Sequence, residues 1–169
     1  PAIQEMEERL ADFISAKHCM ATSSGTDSLL LALKSLGIGP GDEVICVPFT
    51  WISPVECILR LRAKPVLVDI DPQTYLMDPH HLEESITPNT KAIIPVSLYG
   101  QMFDFEAINK IGSKYNIPVI EDGAQSFGAL RRGKPSCSVT TIGITSFFPT
   151  KPLGCYGDGG AIFTNDSSI

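Results

Sequence analysis

No stretch of this chain approaches the roughly 18 consecutive apolar residues that a membrane-crossing helix needs, so the sequence offers no candidate span. It also lacks a run of Lys and Arg. The densest basic cluster, Arg131-Arg132-Gly133-Lys134, is too short to follow a phosphate backbone, and the formal net charge of −6 points the same way. Nucleic acid and membrane are therefore set aside as partners. The five cysteines (Cys19, Cys46, Cys57, Cys137, Cys155) include no C-x-x-C pair and no regular spacing. That removes a zinc knuckle and a disulfide framework and leaves free thiols, as expected of a cytoplasmic protein. Internal repeats, low-complexity tracts and Pro/Ser-rich linkers are missing too. What remains is one globular domain of 169 residues, 43% apolar and 19% charged, long enough to bury most of its apolar surface. The chain opens at Pro1 without a Met, which leaves room for a leader ahead of it.

Hydrophobic spacing predicts a regular alternation. Met6, Leu10, Phe13 and Ile14 mark a first helix, and a short apolar stretch from Cys19 to Thr22 leads to a second helix marked by Leu29, Leu30, Leu33 and Leu36. Strands are expected at 43–47, 65–68, 92–96, 119–120, 145–148 and 161–164, with helices at 55–61, 79–85 and 105–115 between them. Short continuous apolar runs separated by helices are the mark of a sheet covered on both faces. The expected fold is three-layer α/β with a largely parallel sheet. The chain stops directly after its last strand, which leaves no place for the second lobe that large α/β enzymes carry.

Three segments have the chemistry of a site. Ser23-Ser24-Gly25-Thr26 stands at a strand-to-helix junction, where free backbone N–H groups at the positive helix end bind anions. Ser and Thr there equally serve as plain helix caps, and the sequence leaves both readings open. Val119-Ile120-Glu121-Asp122 delivers Asp122 to the carboxyl end of a strand, the ligand edge of doubly wound sheets. Asp122 either caps the following turn or faces a cationic heterocycle. At about 4 Å and an effective dielectric of 20 such a pair is worth roughly 4 kcal/mol, enough to raise a ring nitrogen's pKa by about three. Gln125 lies one turn on and is placed to donate to the same ligand. The third segment runs from Ser146 through Phe147, Phe148, Pro149, Thr150, Lys151 and Pro152 to Leu153. A lone lysine is ordinarily a solvated charge. Here flanking prolines exclude a regular helix, and apolar neighbours favour a nucleophilic amine able to form a Schiff base.

Other motifs fail on inspection. Gly128 to Lys134 has the spacing of a phosphate-binding loop, but Pro135 replaces its Ser or Thr and no strand-to-helix junction surrounds it. Gly37-Ile38-Gly39-Pro40-Gly41 lacks dinucleotide spacing and reads as a helix-ending turn. His80 and His81 read as surface residues.

Taken in order, Ser-Gly-Thr before a helix, an aromatic after Pro-Phe-Thr, Glu-Asp-x-Ala-Gln, and Ser-x-x-x-x-Lys ahead of Gly-Asp-Gly-Gly form one series. Over essentially the whole chain this resembles the DegT/StrS family of nucleotide-sugar aminotransferases dependent on pyridoxal 5′-phosphate (PLP). The Ser146–Gly160 segment is most similar to members that aminate the 3-keto position of UDP-N-acetyl-sugars. The resemblance implies the type I, aspartate-aminotransferase-like fold, with residues 1–169 as a truncated PLP-binding large domain that lacks the small C-terminal domain. It further implies that Lys151 binds the cofactor covalently and moves a proton, and that Asp122 pairs with the pyridinium nitrogen. Gln125 would contact the ring's phenolic oxygen, Gly25, Thr26 and Ser146 would hold the phosphate, and Trp51 would stack on the ring. The implied reaction takes an amino group from an amino acid, typically glutamate, to a UDP- or dTDP-linked keto sugar for surface polysaccharide or amino-sugar biosynthesis, in a homodimer. Two alternatives stand beside it: a sugar dehydratase or deaminase relative, which would typically carry His in place of Lys151, and a non-catalytic PLP-binding fragment.

Overall fold

The computed structural model describes residues 2–169. Helix α1 (Ala2–Ile14) precedes strand β1 (His18–Thr22), and helix α2 (Gly25–Ser35) precedes β2 (Glu43–Cys46). There follow α3 (Ser53–Arg60), β3 (Lys64–Leu67), α4 (Pro79–Glu84), β4 (Thr90–Ile94), a 3-10 turn (Leu98–Gly100) and α5 (Phe105–Tyr115). The remainder is strand: β5 (Ile120–Asp122), β6 (Leu130–Arg131), β7 (Lys134–Pro135), β8 (Ile142–Ser146) and β9 (Gly160–Thr164).

The sheet grows by neighbour pairing in the order β1-β9-β8-β5, and separately β3-β2-β4. Parallel bridges Ile93–Val119 and Val96–Asp122 join the two parts, with N–H donations from Asp122 to Pro95 O (3.0 Å) and from Ser97 to Asp122 O (3.0 Å). Among the described strands of this sheet only β9 runs against its neighbours, so the largely parallel sheet expected from the sequence is present. Strand alternation divides the core. Val44, Cys46, Ala92, Ile94, Ile120, Ile142, Ile144 and Ile162 face α2 and α3, packing on Leu29, Ala32, Leu33, Cys57 and Ile58. Ile45, Ile93 and Val119 face the opposite way, onto Leu82 of α4 and Phe105, Ile108 and Ile111 of α5. Beside them Ala161, Phe163 and Phe147 pack on Leu10 and Ile14 of α1. Burying one such side chain stabilises by about 1.5–3 kcal/mol, which outweighs the modest helix propensities of these segments. No helix among the described residues is long and apolar enough to cross a membrane.

Local chemistry sets the helix ends. Asp104 accepts the Ala107 N–H (3.1 Å) to start α5, and Asn116 ends it in the left-handed conformation at φ 56°. Two details differ from the sequence-based expectation. The strand expected at 145–148 lies at Ile142–Ser146. It is central and buried at every position, so no alternation marks its start. The Phe147-Phe148 pair that resembles strand core instead begins a loop, closed by Phe147 N–H to Gly159 O (2.8 Å) and Cys155 N–H to Phe147 O (2.8 Å). The glycine-spaced segment at 128–134 is a hairpin between β6 and β7. Its turn carries Arg132 at φ 52° and Gly133 at φ 74°, the positive-φ pair that two-residue hairpins require.

Candidate active site

The carboxyl ends of the parallel strands open onto a cavity of about 400 Å³, and Gly25, Thr26, Trp51, Asp122, Gln125, Ser146 and Lys151 all line it. Residues up to 126 positions apart in sequence thus meet at one edge of the sheet, the edge where open α/β sheets bind ligands.

One end of the cavity is built for an anion. Helix α2 starts at Gly25, with Ser24 as its cap: the Ser24 hydroxyl accepts the Asp27 N–H at 3.0 Å. Capping does not use up the helix end, because Ser24 takes one N–H while Gly25 and Thr26 stand at the cavity wall. Ser146, at the end of β8, accepts the Phe148 N–H at 3.3 Å, which leaves its own hydroxyl proton free to donate. The Thr26 and Ser53 hydroxyls lie 2.9 Å apart, so the first turn of α3 converges on the first turn of α2. Ser53 is a wall residue the sequence does not single out, since Ser ahead of Pro54 signals a helix start and nothing more.

The other end holds a buried carboxylate. Asp122 is 6% exposed; its Oδ1 accepts the Ala124 N–H at 3.0 Å, and among the described residues its second oxygen has no hydrogen-bond donor. Burial raises its pKa above the ordinary carboxylate range, opposed by the Ala124 hydrogen bond and by the Lys151 charge. A carboxylate in that state favours a cationic hydrogen-bond donor. Gln125 is oriented by Tyr99, whose N–H donates to Gln125 Oε1 at 3.1 Å. A backbone N–H must meet the amide oxygen, so the Gln125 NH2 group is the end left for a ligand.

Lys151 lines the same cavity from the loop after β8, with its N–H donating to Phe148 O (2.8 Å). Gly154 is required where that loop folds back, since a Cβ there would stand 2.6 Å from Pro149 O. Trp51 is 72% exposed, an aromatic face at the rim with no side chain covering it. Thr50, Phe148 and Asp158 also line the wall. Among the described residues no group of three or more His, Cys, Asp or Glu side chains could hold a metal ion. Amine, unpartnered carboxylate, oriented amide and helix-end donors together fit a phosphorylated, cationic heteroaromatic aldehyde, the chemistry of PLP.

Comparison with known proteins agrees with this chemistry. A profile described as the DegT/DnrJ/EryC1/StrS aminotransferase family matches residues 1–169. The chain is 62% identical over 169 residues to UDP-2-acetamido-2-deoxy-3-oxo-D-glucuronate aminotransferase of Pseudomonas aeruginosa, covering 100% of this chain and 47% of that protein. The structure of DesV from S. venezuelae in complex with a ketimine intermediate superposes with a TM-score of 0.97 at 38% identity, over 99% of this chain and 45% of DesV. NtdA from Bacillus subtilis with bound cofactor PMP superposes with a TM-score of 0.93 at 39% identity, over 99% of this chain and 38% of NtdA. The chain thus spans about half the length of the relatives it matches, or less.

Proposed function

The chain belongs to the DegT/DnrJ/EryC1/StrS aminotransferase family, and from that premise we propose that it is the cofactor-binding large-domain portion of a PLP-dependent nucleotide-sugar aminotransferase. The observation that carries this reading is the convergence of Lys151, the buried Asp122 and the α2–Ser146 anion end on one cavity. PLP, when bound, supplies an aldehyde that condenses with primary amines and a ring that accepts an electron pair.

The chain's own residues divide the remaining work. Gly25, Thr26 and Ser146 hold the phosphate through N–H and hydroxyl donors at a helix N-terminus. Asp122 accepts a hydrogen bond from the ring nitrogen and keeps it protonated, since a carboxylate next to a cation favours the charged pair. Gln125 donates its NH2 group to the ring's phenolic oxygen. Trp51 stacks on one ring face. Lys151 would hold the cofactor through Nζ, and its amine would hold and move a proton. Glutamate is the proposed donor and a UDP-linked 3-keto sugar the first acceptor to test, because the 62% identical relative is named for such a substrate. A dTDP-linked keto sugar is the second. A cytoplasmic homodimer completes the proposal.

The test uses the complete gene product. PLP is added, the visible absorption band recorded, and the adduct reduced with borohydride and mapped. Label on the Lys151 peptide is expected; label elsewhere, or no band, refutes cofactor attachment at Lys151. Glutamate added to the loaded protein should convert the band to that of the pyridoxamine form. If it does not, the transaminase reading fails while cofactor binding stands.

A further inference from the structure

Glu121 and Asp122 are adjacent on β5, and strand geometry sends their side chains to opposite faces of the sheet. Asp122 opens to the cavity, whereas Glu121 has no exposed surface. The Glu121 carboxylate accepts the Ser97 hydroxyl (2.9 Å) and the Ser136 hydroxyl (2.7 Å) at Oε1 and the Cys137 N–H (2.8 Å) at Oε2. Ser136 spends its one proton on this carboxylate, so Ser126, 2.7 Å away, donates to Ser136. All four partner residues are buried.

A buried carboxylate is seldom the most stable choice for a core position, since an apolar side chain of similar volume commonly does as well. What distinguishes Glu121 is where its partners lie. The Ser97 N–H donates to Asp122 O, and two residues later the Tyr99 N–H holds Gln125 Oε1. Ser126 directly follows Gln125. Cys137 packs against Gly123, the residue after Asp122, so closely that a Cβ on Gly123 would meet Cys137 Sγ at 2.3 Å. Each strut of the network ends beside one of the two groups that face the ring. Among the described residues no other side chain hydrogen-bonds to Ser97, Ser136 and Cys137 together.

We infer that Glu121 is a positioning residue: from the far face of the sheet it sets, through Ser97, Ser126–Ser136 and Cys137, the placement of the Asp122 carboxylate and the Gln125 amide in the cavity. The inference rests on the proposed PLP reading of that cavity. With the carboxylate all three partners donate to Glu121. A glutamine keeping its oxygen on the Cys137 N–H would turn its NH2 group onto the two serine hydroxyls, which would have to accept and send their protons elsewhere, rearranging the Ser97 and Ser126–Ser136 struts.

The test is a double-mutant cycle on the complete gene product with PLP as ligand. Ser97→Ala, Ser136→Ala and Glu121→Gln are each made alone and in a Gln125→Ala background. The readouts are the PLP dissociation constant, the pH midpoint of the visible band and the Tm of the cofactor-free protein. Ser97→Ala and Ser136→Ala should each weaken PLP binding about ten-fold and move the pH midpoint, and the loss of affinity should shrink by at least about two-fold once Gln125 is gone, the remainder acting through Asp122. A lower Tm with unchanged PLP affinity and midpoint would show a structural role only and overturn the inference. So would effects that persist in full without Gln125. Should Glu121→Gln fail to fold, the two serine variants decide alone. Absence of a band in the wild-type protein would instead defeat the PLP reading and this inference with it.

Discussion

Gly25 begins α2 so close to Ser146 that a Cβ on it would stand 2.6 Å from the Ser146 Cβ and 3.1 Å from its Oγ. The helix N-terminus and the end of the central strand are thereby brought together, and the two sources of the proposed phosphate donors line one cavity. A Gly25→Ala substitution must push these elements apart, since the obstacle is a short, buried side chain on a central strand. Overpacking of this kind costs about 1–3 kcal/mol. The expected outcome is a Tm lowered by several degrees and PLP binding weakened further than the stability loss alone explains. Thermal unfolding and PLP titration check both parts, and wild-type cofactor affinity would show that Gly25 serves packing only.

Gln125 yields a sharper expectation. Its Oε1 is committed to the Tyr99 N–H, and Tyr99 holds that N–H in place at φ 57°, followed by Gly100 at φ 77°. Gln125→Glu keeps an acceptor for Tyr99 but presents an anionic oxygen where the NH2 group stood. It should therefore weaken PLP binding more than Gln125→Met, which removes the donor and the Tyr99 acceptor together but places no charge against the ligand. PLP titration of the two variants gives the ranking, and the reverse order would mean that the Gln125 amide does not donate to the ligand.

Asp122 predicts a pH dependence. Burial raises its native pKa above the ordinary value, so the folded chain binds this proton more tightly than the unfolded chain. Stability from this group is then present at low pH and is lost as pH rises from the unfolded value near 4 through the raised native value. Asp122→Asn removes the dependence. In the cofactor-free protein the variant should gain on wild type by about 1–3 kcal/mol between pH 4 and pH 8, while the cofactor-loaded variant loses most activity. Urea unfolding across that range measures the difference. A gap that stays flat would mean that the carboxylate is not penalised by burial.

The legibility of this fold follows from where burial is asymmetric. Helices α1, α3 and α5 bury one stripe, and the sequence marks each with apolar residues three and four apart. Strand β8 is buried on both faces and contains Gly143, which must lack a side chain because a Cβ would meet the Cys137 carbonyl at 2.1 Å. No two-residue period survives there, and the aromatic pair beyond it draws the eye instead. Among site residues, Lys151 and Asp122 stand out by chemistry and local setting. Ser53 does not, because its place beside Thr26 depends on the convergence of two helix ends 27 residues apart. Glu121 was visible only as the neighbour of Asp122; its role depends on partners from 15 and 16 residues ahead and 24 behind.

The buried thiols offer a direct check on how closed the Glu121 layer is. Cys46, Cys57 and Cys137 are each at most 2% exposed. Burial pushes the Cys46 thiol up to about 12 and Cys57 to about 11, and it raises Cys137 well above the ordinary range, with the Glu121 charge adding to it. Alkylation requires both the thiolate and access, so at pH 8 these three should remain unmodified in the native complete protein and react only on unfolding. Cys137 is the informative one, because its N–H donates to Glu121 and its Sγ to Ile144 O at 3.3 Å. Its labelling, followed by mass spectrometry in increasing urea, should track the global transition. In Ser136→Ala the network loses a strut next to Cys137, and labelling should begin at lower urea than the global transition. Rapid modification of Cys137 in the unperturbed native protein would mean that the 136–138 segment opens on its own, and that Glu121 lacks the fixed partners through which it is argued to act.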